Sequence, residues 1–348
     1  MRLALAPALA AALLVCACTT LGTEDRQRLS LHLENAAQYY DQRHYDQAYQ
    51  QWGKVLELDP LNAKARLGQA MVYYQLGLQE SPEGVQRLAE AETRLGELRG
   101  ADLDGLEWRA ELGFALVHDR WVNLYARKVQ QLEYAAGEGT PETSTELAPA
   151  RAELERHARI AEASYAAVYS GGEQEAQYQL ACIVGLAKMA AYRGDLMKSL
   201  EWARAYQQRI ESSKSFWRDN ITRFPKEAPI WQLKLEGAER QEAELRDLVA
   251  NVLFKLGRLA EAEAELDAVV QLDPQQESGF LNRGVVRQAR RDWDRARQDL
   301  RTFLAMTTRG DDDASVIEAR KRLEEIERRI AEEDADAISR PPQRDASR

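Results

Sequence analysis

Three cysteines, four histidines and a large number of carboxylates are the side chains here that could do covalent, metal or acid–base chemistry. Cys16 and Cys18 follow directly on an apolar run, Leu3 to Val15, whereas Cys182 sits alone in the apolar stretch Leu180 to Ala191. With no partner left for an intramolecular disulfide, Cys182 reads as a small buried hydrophobe. His32, His44, His118 and His157 are not spaced with each other, a cysteine or a carboxylate as metal ligands usually are, and no metal is expected. His32 and His44 fall on or beside helices of a repeat and read as solvent-facing or packing groups. Ser212-Ser213-Lys214 reads as a polar helix end, and Gly171-Gly172 as a helix terminator, not a phosphate loop. Glu261, Glu263 and Glu265 read as a solvated helix face. Asn220-Ile221-Thr222 fits a glycosylation sequon. These residues lead to an expectation of no catalytic site and no cofactor.

The elements around the two early cysteines give them a different role. Leu3 to Val15 carries no charge and is too short to cross a hydrocarbon core of about 30 Å at about 1.5 Å per residue. Preceded by Arg2, it reads as the apolar region of an export signal. Val15-Cys16-Ala17-Cys18 resembles the lipobox of bacterial lipoproteins: an apolar residue, a tolerant position, a small residue, then the cysteine that is acylated. Cys18 fits better than Cys16, because small Ala17 precedes it while branched Val15 precedes Cys16. The resemblance implies three acyl chains on Cys18, an effectively permanent anchor at about 0.8 kcal/mol per buried methylene. With Thr19 rather than Asp next in the chain, it also implies the outer membrane of a Gram-negative bacterium, facing the periplasm. A plain cleaved signal or an uncleaved anchor are the alternatives. The net charge of -10 makes nucleic acid a poor partner, since phosphate binding rewards Lys and Arg.

Helix formers dominate, and no run of alternating β-branched residues appears, which is an all-α pattern. One helix-turn-helix unit runs from Leu29 to Pro60, with Ala36, Tyr39, Tyr45, Ala48, Trp52, Val55 and Leu58-Asp59-Pro60. A second runs from Ala243 to Pro274, with Ala250, Leu253, Leu259, Ala262, Leu266, Val269 and Leu272-Asp273-Pro274 at the same offsets. The pattern resembles the tetratricopeptide repeat (TPR), whose period is about 34 residues. Small residues stand where helices cross closely, Gly257 where the chain reverses, and the prolines where helices end. Each unit has a follower, Ala63 to Gly77 and Glu277 to Met306; the first loses its partner-helix spacing after Gly77.

The expected organisation is a signal over 1–17, a tether over 18–28 and an N-terminal repeat pair over 29–100. A long helix over 101–136 and a loop over 137–149 follow, the loop ending at a capping box, Thr143-x-x-Glu146. Degenerate helical repeats fill 150–240, and the C-terminal repeat pair 241–310. A capping helix over 311–333, opened by Ser315-x-x-Glu318, precedes a disordered tail over 334–348. The expected architecture is an all-α, right-handed α-solenoid.

The resemblance places the first helix of each repeat on a concave groove. That presents Leu33, Ala37 and Tyr40 in the first pair, and Asp247, Asn251, Phe254, Lys255, Leu281, Val285 and Gln288 in the last. Asn251 and Asn282 coincide with the asparagines of the carboxylate clamp of chaperone-binding tetratricopeptide domains, but Asp247 replaces the clamp's first lysine. A crowd of arginines that includes Arg283, Arg287 and Arg290 either pairs with Asp292, Asp294, Asp299 and nearby acidic helices or forms a patch for an acidic partner or for anionic glycan or lipid headgroups. The expected function is a non-catalytic, lipid-anchored scaffold for protein partners of a cell-envelope assembly. Families with this combination include pilotins, adaptors of peptidoglycan hydrolases, and parts of outer-membrane insertion and polysaccharide-export machineries. A binding module for a peptide or glycan is the alternative.

Overall fold

The computed structural model describes residues 21–137, 141–172 and 176–339, and among them every regular element is a helix. The proposed lipidation site Cys18, the signal and the residues after 339 lie outside the described residues. Thirteen helices follow in order: α1 (Thr23–Asp41), α2 (Tyr45–Leu58), α3 (Ala63–Leu76), α4 (Pro82–Leu98), α5 (Glu107–Gly137), α6 (Pro141–Gly171) and α7 (Ala176–Tyr192). The remainder are α8 (Leu196–Arg223), α9 (Ala228–Lys255), α10 (Leu259–Leu272), α11 (Glu277–Ala289), α12 (Trp293–Met306) and α13 (Ala314–Ser339). None of them is long and apolar enough to cross a membrane. The chain divides into two compact units, residues 1–117 and 118–348.

One turn recurs through both units. The α1–α2, α7–α8, α9–α10 and α11–α12 connections each place one residue in the left-handed region: Arg43 (φ 61°), Gly194 (φ 80°), Gly257 (φ 73°) and Arg291 (φ 64°). The next N–H returns to a carbonyl of the last helical turn: His44 to Tyr39 at 2.8 Å, and Asp195 to Ala190, Arg258 to Leu253 and Asp292 to Arg287 each at 2.9 Å. This is the Schellman closure, which satisfies carbonyls that a helix end would leave bare. The same closure at Gly194 gives the α7–α8 turn the geometry of the other three.

Helix pairs then close on small side chains. Ala36, Ala48, Ala187, Ala262 and Ala296 are fully buried, as the repeat register requires. Elsewhere an aromatic ring takes the vacated space: a Cβ on Gly68 would lie 2.3 Å from the Trp52 ring, and one on Gly185 2.3 Å from the Tyr165 ring. Before Pro60 and Pro274 the helices stop, and the carboxylates of Asp59 and Asp273 accept the N–H of the residue two further on. Asn62 caps α3 by accepting from the Ala65 N–H at 3.2 Å.

Four sequence expectations change. The second repeat does have a partner helix, α4, opened by Ser81 and Pro82 after a longer turn, so its offsets shift. Much of the expected 137–149 loop is already α6; Pro141 opens that helix, Pro149 is accommodated on an exposed face, and Thr143-x-x-Glu146 lies inside it. The cap of α13 is Asp313, which accepts from the Ser315 N–H at 2.8 Å, and that helix continues to Ser339, into the expected tail. Ser212-Ser213-Lys214 lies within α8, with Lys214 buried and its ammonium 2.7 Å from the buried Glu242. Burial opposes the Glu242 charge, but Lys214 and Arg246 outweigh it and hold the carboxyl below its usual range. The break at Phe224 to Pro229, the terminator at Gly172 (φ 72°) and the buried Val316, Ala319 and Ile326 of α13 match the sequence reading.

Candidate functional site

The second unit holds an open groove of about 510 Å³ between two parallel stripes of side chains. Asn123, Ala126, Arg127 and Gln130 of α5 form one stripe, and Leu248, Asn251, Val252 and Lys255 of α9 form the other. Both follow i, i+3, i+4, i+7, the spacing that puts four side chains on one helix face. Ala191 and Tyr192 of α7 complete the lining. The floor is apolar, and the rim carries amides, one phenol and two cations. Among the described residues no carboxylate lines it, in a protein of net charge -10.

The lysine and aspartate near this groove neutralise each other. Lys188 and Asp119 form an ion pair at 2.5 Å, and the Tyr165 hydroxyl donates to Asp119 at 3.1 Å. Burial opposes the Lys188 charge, yet Asp119 prevails and the ammonium stays above its usual pKa. Burial also raises the Tyr192 phenol, which stays a neutral hydrogen-bond donor and acceptor. The groove can therefore seat an extended chain by apolar contact and amide hydrogen bonds, and answer an acidic group with Arg127 and Lys255.

Of the residues singled out in the sequence, Asn251 and Lys255 are exposed and line this groove. Phe254 instead packs, half-buried, against the core of the second unit. Asn282 does not join Asn251: its amide donates to Asp247 at 2.7 Å, and the Ser278 hydroxyl to the same carboxylate at 3.3 Å. Burial raises the Asp247 carboxyl, against the effect of both donors. In the first unit Ala37 is exposed, while Leu33 and Tyr40 pack on the repeat core. The Tyr40 ring lies 5.6 Å from both Tyr45 and Trp52.

The arginines take internal partners. Arg283 grips the buried Asp299 with two bonds, at 3.0 and 2.8 Å, and reaches Asp267 at 2.8 Å. Arg287 binds Asp299 at 2.8 Å, Glu263 at 2.9 Å and Asp267 at 3.2 Å; Arg290 pairs with Glu263. Glu263 is thus a buried counter-ion and not part of a solvated face, and Glu265 pairs with Arg246 at 2.7 Å. The network joins α10, α11 and α12.

Two features escaped the sequence reading. Nothing pointed to the α5 wall of the groove, although a polar stripe at helical spacing inside an amphipathic helix was the available signal. His118 and His157, separated by 39 residues, meet in the interior with Nδ1 atoms 2.7 Å apart. Trp121 and Tyr125 stack on the His157 ring at 5.5 and 5.6 Å. Burial, aided by Arg156, lowers the His157 pKa to about 4, so the ring is neutral near pH 7. Cys182 is buried and its thiol is pushed up to about 12, which makes it inert.

The chain matches no protein-family model. It matches no curated protein. Solved structures similar to it include PilF of Pseudomonas aeruginosa, at 13% identity over 86% of this chain and 100% of that one, with a TM-score of 0.47. YrrB, described as a TPR protein with an unusual peptide-binding site, is similar at 15% identity over 78% of this chain and 97% of its own, TM-score 0.40. A tetratricopeptide repeat protein of Parabacteroides merdae is similar at 13% identity over 84% and 98%, TM-score 0.39.

Proposed function

We propose that this protein is a non-catalytic scaffold that holds an extended segment of a protein partner in the α5–α7–α9 groove. The observation that carries the reading is the pair of helical stripes: an open, apolar-floored slot whose charged lining groups, among the described residues, are Arg127 and Lys255. Such a slot suits a chain with alternating apolar and acidic side chains. Its openness speaks for an adaptor over a module that encloses a glycan, since small-ligand sites enclose most of the ligand.

The sequence supports a location for this scaffold. The lipobox-like Val15-Cys16-Ala17-Cys18 supports acylation at Cys18, attachment to the outer membrane and a periplasmic setting, with partners drawn from a cell-envelope assembly. The test is capture from detergent-solubilised envelopes with the wild-type chain and with Arg127→Glu/Lys255→Glu. A protein retained by the wild type and lost from the variant supports the reading. Equal capture by a folded variant would remove the groove from it.

A further inference from the structure

The tip of the α8–α9 hairpin exposes large apolar side chains that the groove and the repeat core leave unused. Phe216, Phe224, Ile230 and Leu233 are 56%, 43%, 58% and 66% exposed. Phe216 meets Trp231 of the other helix edge-on, with ring centroids 5.8 Å apart, so apolar side chains of both helices meet near the tip. On α9, Ile230, Leu233 and Lys234 follow helical spacing, so they share one face. Pro225 and Pro229 bracket the connection and restrict its backbone.

The charges around this patch reverse the sign of the rest of the molecule. From Phe216 to Lys234 there are four cations (Arg218, Arg223, Lys226 and Lys234) and two acids (Asp219 and Glu227), within a chain of net charge -10. Arg218 reaches Glu239 at 3.5 Å, whereas Arg223 lies over the Phe224 ring at 5.5 Å and Lys234 over the Trp231 ring at 5.3 Å. Aromatic and aliphatic side chains flanked by Lys and Arg are the composition that partitions into the headgroup region of a bilayer.

We propose that the α8–α9 tip is a membrane-contact element that seats its apolar side chains among the headgroups of an anionic lipid surface. The net acidity of the chain disfavours general adhesion to such a surface, so contact centres where exposed apolar side chains and local cations coincide. The inference is independent of the groove and of the N-terminal anchor.

Hydrogen exchange of the full chain tests it, with vesicles of phosphatidylcholine containing about one third phosphatidylglycerol and with phosphatidylcholine alone. The expected result is slowed exchange confined to peptides within 216–237, strongest on the anionic vesicles and reduced by salt. Ile230→Asp/Leu233→Asp should abolish that protection and weaken the tip's partitioning about tenfold or more. Both positions face solvent, so the variant should melt as the wild type does, and its unchanged N-terminus leaves any anchoring there the same in both chains. Absence of protection at the tip, or protection that survives the double substitution, would overturn the proposal. So would protection that appears only when an envelope protein is added, since that would make the tip a protein-docking surface.

Discussion

Replacing Asp299 by asparagine changes little in volume and removes the charge that two arginines share. Asp299 is 3% exposed and accepts three hydrogen bonds, two from Arg283 and one from Arg287. Burial opposes the Arg283 charge, and Asp299 offsets it and keeps the guanidinium above its usual pKa. Breaking a buried ion pair costs about 3–5 kcal/mol, because the surviving charge stays desolvated and unpaired. Here Asp267 is 44% exposed and still serves both arginines, and Glu263 still serves Arg287, so a loss of about 2–4 kcal/mol is expected. At about 2–4 °C per kcal/mol for a unit of this size, Asp299→Asn should lower Tm by about 4–16 °C. Calorimetry at low and high salt reads the effect, and a double-mutant cycle with Arg283→Met isolates the pair. The apolar triple variant Arg283→Met/Arg287→Leu/Asp299→Leu should recover much of the loss, since Glu263 keeps Arg290 and the Asp267 carboxylate is 44% exposed to solvent. A Tm for Asp299→Asn within about 2 °C of wild type would refute the network as a stabilising device and return these arginines to the role of an exposed patch.

Three further outcomes are expected. His157 has a folded pKa of about 4 against an unfolded value of 6.5, so the unfolded chain binds more protons below pH 6.5. Stability should therefore fall as pH drops from 6.5 towards 4, by up to about 2 kcal/mol at pH 5, and His157→Phe should flatten that part of the pH–Tm curve; an unchanged slope would contradict it. Ala262→Trp forces a large ring into a fully buried helix crossing and should cost about 1–3 kcal/mol or more in a denaturant titration, whereas an unaltered midpoint would mean the repeat register is wrong. Cys18→Ala should abolish labelling by a fatty-acid analogue and Cys16→Ala should not; the reverse result would move the anchor to Cys16.

Repeat boundaries were legible where a residue type has one structural use. Ala36, Ala48, Ala250 and Ala262 mark close crossings, Gly257 a left-handed turn, and Pro60 and Pro274 helix ends, and all of these can be read one position at a time. Helix α4 was not legible because the turn before it runs longer than in the other repeats, which broke the offset that would have revealed it. Partners were less visible than elements. Lys214 and Glu263 look like solvated charges in sequence, and only stacking against Glu242 on α9 and against Arg287 of α11 and Arg290 just after it buries them. The histidine pair and the groove share that dependence: His118 and His157 lie on different helices, and the groove needs α5, α7 and α9 together. Asn251 and Lys255 were named because they belong to a recognisable repeat, whereas Asn123 and Arg127 lie on α5, outside the repeat pattern, and Tyr192 ends α7, whose repeat is degenerate.

Site-specific photo-crosslinking tests the central claim most directly. A photo-reactive residue in place of Asn251, exposed within the groove lining, is compared in intact cells with one in place of Met197, which is 55% exposed and outside that lining. A discrete protein adduct is expected from position 251, absent from position 197 and lost when Arg127→Glu/Lys255→Glu is added. Equal adducts from both positions, or an adduct at 251 that survives the charge reversal, would contradict the groove as the partner-binding site.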